Sequence, residues 1–408
     1  MTHRIDSKHL DAIIIGAGPA GGSAARELAK RGKKVLLIEQ SHEIGEPNYS
    51  TAGTPKETVE DFDLPSDILS SSWNKIMLAT PRTQAVWSFP ETMGYVLDFA
   101  GLKKFLAKDA AENGAEILVG TSVKEFIDAG EKMIGVRYHG VFGDGEALAD
   151  VIIDATGHHE FSNTLLKLNR IQSGSLAQAM EYLMTNPRAQ LKDTLATFWG
   201  SEYAPHGYAW SFPMDNGKEA KVGICQYSYD ENKGDLKNSL ERFVDSLPYF
   251  KEMEPIEIHA GAAHVDGGVA CHIFKNVMLI GDAAHQINPL GGEGIRHSLR
   301  AGRIAADAIA RSLENGVCDQ SMLKQTYESE WKKEFGRAWR LSYILSGILY
   351  NLEDELLDKL VKVIERILPQ DMFEIGFHYD YSRAMKYPGL ISLLPSAIKN
   401  FLKKWQSF

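Results

Sequence analysis

Two glycine-bearing segments hold the residues whose types and spacing point most directly to chemistry. Gly16-x-Gly18-x-x-Gly21 follows the β-branched run Asp11-Ala-Ile-Ile-Ile and opens a helical segment through Ala24, Ala25 and Leu28. Glu39 ends the next apolar run, Lys34-Val-Leu-Leu-Ile, eighteen residues after Gly21. In the strand–turn–helix–strand order this is a dinucleotide fingerprint. The first glycine permits the turn, the second lets a pyrophosphate approach the backbone, and the third lets helix and strand pack closely. The helix N-terminus, with Ala20 in its first turn, offers oriented N–H groups to the phosphates. Glu39 is placed to accept hydrogen bonds from ribose hydroxyls. The motif alone does not choose between FAD and NAD.

The second segment makes that choice. Val277-Met-Leu-Ile-Gly281-Asp282-Ala-Ala-His285-Gln-Ile-Asn288-Pro289-Leu-Gly291-Gly292-Glu293-Gly294-Ile295 resembles the second FAD motif of the para-hydroxybenzoate-hydroxylase-type flavoproteins. The resemblance implies that Asp282, after Gly281, binds the ribitol chain. It also implies that Pro289, Gly291, Gly292, Gly294 and Ile295 form the start of a helix facing the flavin pyrimidine ring. A helix N-terminus there stabilises the negative charge that a reduced flavin carries near N1. The expected cofactor is FAD.

A narrower resemblance rests on Gly207-Tyr208-Ala209-Trp210-Ser211-Phe212-Pro213, on Lys221-Val222-Gly223-Ile224, and on Gly94-Tyr95-Val96-Leu97-Asp98 before a helix. These are similar to the Tyr-x-Trp-x-Phe-Pro signature and the flavin-domain entry of the geranylgeranyl reductase family. With the FAD motifs, the likeness runs over about residues 9 to 315. It implies a reductase that uses reduced FAD to saturate C=C bonds of an isoprenoid chain, with Tyr208, Trp210 and Phe212 lining a lipid tunnel.

The chain departs from that family at two positions. Ser50, in Gly45-Glu-Pro-Asn-Tyr49-Ser50-Thr51-Ala-Gly53, stands where archaeal members usually have a cysteine, and a serine supplies no thiol with a pKa of about 8.5. Phe99 follows Asp98 where an arginine is usual. The catalytic candidates are Tyr208, Trp210, Ser50 and His285, with Tyr49 beside them; His285 has the alternative of a hydrogen-bonding loop residue. A monooxygenase or halogenase of the same fold is the runner-up. Halogenases carry Trp-x-Trp-x-Ile-Pro and a lysine near the site, against which this chain offers Tyr208, Phe212 and an unsupported Lys75. The electron donor stays open between NAD(P)H and a reduced redox protein, since no second fingerprint is visible.

The elements that must position these groups follow from the pattern of the 408 residues. The expectation is an α/β fold: a Rossmann-like FAD-binding domain built from discontinuous segments (8–72, 95–160 and 266–330), with an inserted antiparallel β-sheet substrate domain (73–94 and 161–265). A C-terminal helical region (331–408) completes it. The formal net charge of -10 argues against nucleic acid as a partner. Cys225, Cys271 and Cys318 have no pairing spacing, which points to a reducing compartment and against an iron–sulfur centre. No metal is expected: His158-His159-Glu160 has adjacent histidines pointing in different directions and no third ligand at a suitable spacing. No apolar stretch reaches a bilayer's thickness. Leu394, Ala397, Ile398, Phe401, Leu402 and Trp405 recur at helical spacing with lysines between, the pattern of a helix in peripheral contact with the inner face of the membrane or of a terminal helix packed on its own domain, in a cytoplasmic protein. The isoprenoid lipid partner is what the family resemblance implies.

Overall fold

The computed structural model describes residues 9–141, 143–168, 176–227, 235–390 and 392–393. At its centre the apolar strand Leu10–Ile15 lies within an eight-stranded sheet. In spatial order the sheet runs Ile273–Phe274, Val277–Leu279, Gly143–Asp154, Leu10–Ile15, Val35–Ile38 and Glu116–Leu118. Leu10–Ile15 pairs in parallel with Val35–Ile38 on one side and with residues 149–154 on the other. The first half of Gly143–Asp154 turns away to form an antiparallel ribbon with Met133–Gly140 and Thr121–Asp128. A parallel sheet covered on both faces buries nearly every residue of its central strands, which is why Ala12–Ile15 and Val35–Ile38 read as unbroken apolar runs. Helix Pro19–Lys30 packs between Phe99–Glu112 and Ile295–Glu314. The last crossing is close because Gly302 has no side chain: a Cβ there would lie 2.5 Å from the Ala20 carbonyl oxygen.

A second sheet of seven strands runs Pro255–His264, Leu176–Thr185, Glu219–Tyr227, Gly207–Met214, Thr194–Trp199, Lys75–Ala79 and Gln84–Ser88. It is antiparallel apart from one pair, Lys75–Ala79 with Thr194–Trp199, which is parallel. The exception follows from the chain path: these two strands come from separate passes, and the long connection between them can restore a common direction. Leu176–Thr185 and Pro255–His264 have no counterpart among the strands read from sequence. One face of the sheet is backed by helix Leu236–Ser246, capped by Asp235, with Leu240 and Phe243 packed on Phe198 and Phe250. Gly53–Pro55, Gly94–Leu97 and Leu69–Trp73 form a small third sheet.

The C-terminal part is helical over Ser329–Leu349, Asp354–Ile364 and Pro369–Phe377. Val361, Ile364, Ile367 and Phe373 pack against Trp73, Trp87 and Phe89, and the Trp87 indole donates to the Ile367 carbonyl at 2.9 Å. No helix among the described residues is long and apolar enough to cross a membrane. The interfacial helix expected over Leu394–Trp405 lies outside the described residues.

Candidate active site

The three glycines of the first turn are required for three different reasons. Gly16 has φ +100° and its Cβ would lie 2.4 Å from the Ala155 carbonyl oxygen. A Cβ on Gly21 would meet the Gly16 carbonyl oxygen at 1.9 Å. Gly18 has ordinary backbone angles and nothing within 4 Å of its missing Cβ, because it faces open space. Gly281 (φ +63°) packs against Ala20, where a Cβ would come within 2.7 Å of the alanine methyl. Small residues on both glycine segments thus let the two come together.

Two helices end on this space without side-chain caps or acidic first turns: Pro19–Lys30 after Gly18, and Ile295–Glu314 after Gly294. Elsewhere Asp98, Asp235 and Asp319 cap their helices. Uncapped N–H groups with an unneutralised helix dipole suit anionic oxygens. Glu39 is pinned beside the turn by the backbone N–H groups of Ala17 and Ser41, each at 2.8 Å. The Asp282 carboxyl is half-buried at the cavity wall, and desolvation pushes its pKa up to about 6. The cradle at Gly18, the two bare helix starts and an acid in want of hydroxyl partners fit FAD.

The space continues as a cavity of about 830 Å³. From Gly18, Asp282 and Gly291–Ile295 it passes over the seven-stranded sheet to Leu345, Ile364, Met372 and Phe377 of the C-terminal helices. Tyr208, Trp210 and Phe212 all face it, as alternation along one strand dictates. Tyr208 is also part of a clamp. The hydroxyls of Tyr227, Tyr350 and Tyr208 donate to three consecutive carbonyls, those of Pro289, Leu290 and Gly291. Burial drives the Tyr208 phenol far above its ordinary range, so it holds the loop and keeps its proton.

Strand register builds a row of side chains across the same sheet face. Trp210 is opposite Gly223, Gly223 opposite Glu181, and Glu181 opposite His259. Gly223 makes room for the row: a Cβ there would lie 2.3 Å from the Trp210 ring. Glu181 accepts from Thr51 Oγ1 at 2.6 Å and Trp210 Nε1 at 3.4 Å, and Lys221 Nζ stands 3.7 Å away. Lys221, also buried, donates to the Ser50 carbonyl, so Ser50 contributes its backbone to this group as well as lining the cavity. Burial raises the Glu181 pKa, but bonds and charge from His259, Lys221 and Thr51 outweigh it and hold the group below its ordinary value. Glu181 and His259 belong to no motif of the sequence, and Lys221 stands there only as the first residue of its strand segment. Charged residues spaced by two on an otherwise apolar strand, such as Glu257-x-His259, are the one local signal of this row.

Other expectations come out differently. His285 stands behind the cavity wall, with Nδ1 2.9 Å from Asp266 and Nε2 2.9 Å from Glu160. Burial lowers its pKa, but the two carboxylates more than compensate and raise it to about 9. No third ligand stands at a suitable sequence spacing from His158-His159-Glu160, but the fold brings His264 and His285 to Glu160 from distant segments. The three ligand atoms lie within 4.8 Å of one another. Lys75 pairs with Asp193 at 2.8 Å and does not line the cavity, which removes the halogenase-type lysine. Phe99 lines the cavity, and the cation near it is Lys103, one helical turn on, whose ammonium lies 4.6 Å from the Phe99 ring and donates to the Pro47 carbonyl. Burial lowers its pKa to about 8.

Comparison with known proteins accords with this geometry. Residues 9–340 match the FAD binding domain family. The chain is 33% identical to the digeranylgeranylglycerophospholipid reductase of Haloferax volcanii, over 96% of this chain and 98% of that protein. Among solved structures it is similar to a geranylgeranyl bacteriochlorophyll reductase-like protein from Thermoplasma acidophilum, with a TM-score of 0.83 at 26% identity, covering 93% of this chain and 99% of that one. The halogenase PltM, solved with phloroglucinol and FAD, shares the fold at a TM-score of 0.70 and 14% identity, covering 98% of this chain and 93% of the halogenase.

Proposed function

We propose a function from the premise that this chain belongs to the geranylgeranyl reductase family of FAD-dependent oxidoreductases. The chain is an FAD-dependent isoprenoid reductase, and its reaction is the saturation of C=C bonds in a geranylgeranyl-type chain carried on a lipid precursor or prenylated lipid. One observation carries the finer reading: a continuous, mostly apolar cavity of about 830 Å³ joins the glycine segments to the aromatic sheet face and the C-terminal helices. A small polar substrate would not need such a wall, whereas an isoprenoid chain gains about 25 cal/mol for each Å² of apolar surface it buries.

FAD bound in its reduced form supplies the hydride. The Gly18 turn and the Ile295 helix start would hold its phosphates and pyrimidine ring, Asp282 its ribitol and Glu39 its ribose. Tyr208, through the Gly291 carbonyl, positions the loop against the ring. Trp210 and Phe212 orient the double bond and exclude water. The electron donor is NAD(P)H or a reduced redox protein. Exposed Leu368 and Met385, beside the helical wall of the cavity, support peripheral contact with a lipid surface on the cytoplasmic side.

The test is anaerobic. The purified protein is reduced with dithionite and mixed with geranylgeranyl compounds bearing phosphate or glycerophospholipid heads. Flavin reoxidation with a gain of two hydrogens per double bond is the expected result. Reoxidation by oxygen alone, with a hydroxylated or halogenated product, would overturn the reading.

A further inference from the structure

Saturating a double bond consumes a proton as well as a hydride, and three of the candidates for its donor read from sequence do not offer one. The Tyr208 hydroxyl is committed to the Gly291 carbonyl, Ser50 has no acidic proton at neutral pH, and His285 lies behind the wall. The row across the sheet does offer one. His259 Nδ1 is 3.3 Å from Glu181 Oε1 and its Nε2 is 3.0 Å from Glu257 Oε2. A carboxylate faces each ring nitrogen, so the ring satisfies both only as an imidazolium, with a proton on each. Its two ends also lie in different surroundings. The Glu257 side chain is 56% exposed, whereas Glu181 is 6% exposed and lines the cavity. Glu181 is tied through the Trp210 indole to the Tyr208 ring, 5.7 Å from Trp210, and so to Gly291.

We propose that Glu257, His259 and Glu181 form a proton relay from the outer surface to the cavity wall, with Glu181 the donor to the alkene carbon; this rests on the reductase reading above. The step balances. One alkene carbon takes the hydride from bound reduced FAD, and the π electron pair takes a proton from Glu181 at the other carbon, giving two new C–H bonds. Glu181 has received that proton from His259 Nδ1. His259 is left neutral with its remaining proton on Nε2; rotation of the ring presents the vacated nitrogen to the Glu257 side, where it takes up a proton from solvent. Donation to the carbon leaves Glu181 a carboxylate again, which the Lys221 ammonium and the Thr51 hydroxyl stabilise between turnovers.

The groups facing His259 are Glu181 from the adjacent strand, Glu257 from its own, Lys221 from the strand beyond, and the Tyr49 ring at 5.5 Å from the loop above. Hydrogen bonding to Glu181 raises the His259 pKa above its ordinary value, with burial and Lys221 opposing. The relay therefore stays loaded to higher pH than a free imidazole would and empties as pH rises through that raised value.

Single-turnover reoxidation of the dithionite-reduced holoenzyme by a geranylgeranyl glycerophospholipid, followed against pH and in D₂O, tests the relay. In the wild type the expected results are deuterium at both carbons of each saturated bond, because dithionite-reduced flavin also draws its transferred hydrogen from solvent, together with a slower rate in D₂O and a rate that falls on the alkaline side. His259→Gln should lower the rate by about 10²-fold or more and lose the alkaline limb, with FAD content and lipid affinity unchanged. Glu257→Gln, at the surface, should lower it several-fold and move that limb to lower pH. A His259→Gln enzyme within threefold of wild type, or an unchanged pH profile in Glu257→Gln should the first variant fail to fold, overturns the relay while the reductase reading stands. A wild type that no prenyl compound reoxidises overturns both.

Discussion

At the end of the cavity near Gly18 and Gly294, the wall consists of main-chain N–H groups, absent side chains and one half-buried acid; along the sheet opposite, it consists of Trp199, Tyr208, Trp210 and Phe212 with a polar row set among them. The first end is rigid because its backbone is fixed by close approach, as at Gly16 and Gly21. The second is shaped by side-chain choice on a regular scaffold, and each position can change without disturbing its neighbours' backbone. Cofactor recognition and lipid recognition therefore respond to different kinds of substitution.

The largest effect that would break this division comes from Gly18→Val. The backbone angles at Gly18 suit any residue and nothing obstructs a side chain, so the protein should fold with the thermal stability of the FAD-free wild type. FAD retention after gel filtration should nonetheless drop by about 10³-fold, since the side chain fills the phosphate cradle. A yellow Gly18→Val protein would mean that the cradle is elsewhere.

Ala179→Trp, on the cavity face of the sheet, should do the converse. Steady-state turnover of a prenyl lipid is expected to fall by about 10- to 100-fold as the ring occupies the tunnel, with FAD content unchanged. Loss of both together would show that the two ends are not independent.

Asp282→Asn sharpens the comparison by separating stability from binding. The folded-state pKa of about 6 lies above the ordinary 3.8, so the FAD-free wild type loses stability as pH rises from 3.8 through 6 and carries the full penalty at pH 7. The variant should be more stable than the wild type at pH 7 by about 2 kcal/mol in FAD-free form, and equal to it near pH 3.5. Its FAD affinity should be about tenfold weaker. Denaturant unfolding at the two pH values measures the first, and fluorescence titration the second.

The smallest expected effect is that of Tyr208→Phe, which removes one hydroxyl from the clamp on the Pro289–Gly291 carbonyls. A loss of about 1 kcal/mol, or about fivefold in kcat, follows from one missing hydrogen bond. Its pH profile should match the wild type, because the phenol is not the proton source.

The same division separates what is legible in the amino-acid sequence from what is not. Gly16, Gly18, Gly21 and Glu39 act within one βαβ unit, so their spacing carries their meaning, and Gly281 to Ile295 lie together on one loop and helix start. Glu181 and His259 meet only because two strands pair in one register, with Glu181 opposite His259. No local pattern encodes that pairing. Glu160 likewise finds His264 and His285 through tertiary structure. The parallel pair in the second sheet has no local signature either, because strand direction depends on the path of the connection. The Tyr208–Phe212 segment is legible because simple alternation puts its aromatics on one face.

The order in which the first sheet is threaded has a consequence for how the protein is made. Leu10–Ile15 emerges first, yet one of its neighbours arrives only with Ala149–Asp154, and the next strand out with Val277–Leu279. Helix Pro19–Lys30, already synthesised, packs on Ile295–Glu314. Non-local pairing of this kind is slow to form and leaves apolar strand edges open meanwhile. During synthesis the nascent chain must keep Ile13, Ile14, Leu36 and Leu37 from pairing elsewhere until nearly three hundred residues are out. Only then do both helix starts that FAD requires stand together, so cofactor capture is a late event in the life of the chain and a natural checkpoint for its completion.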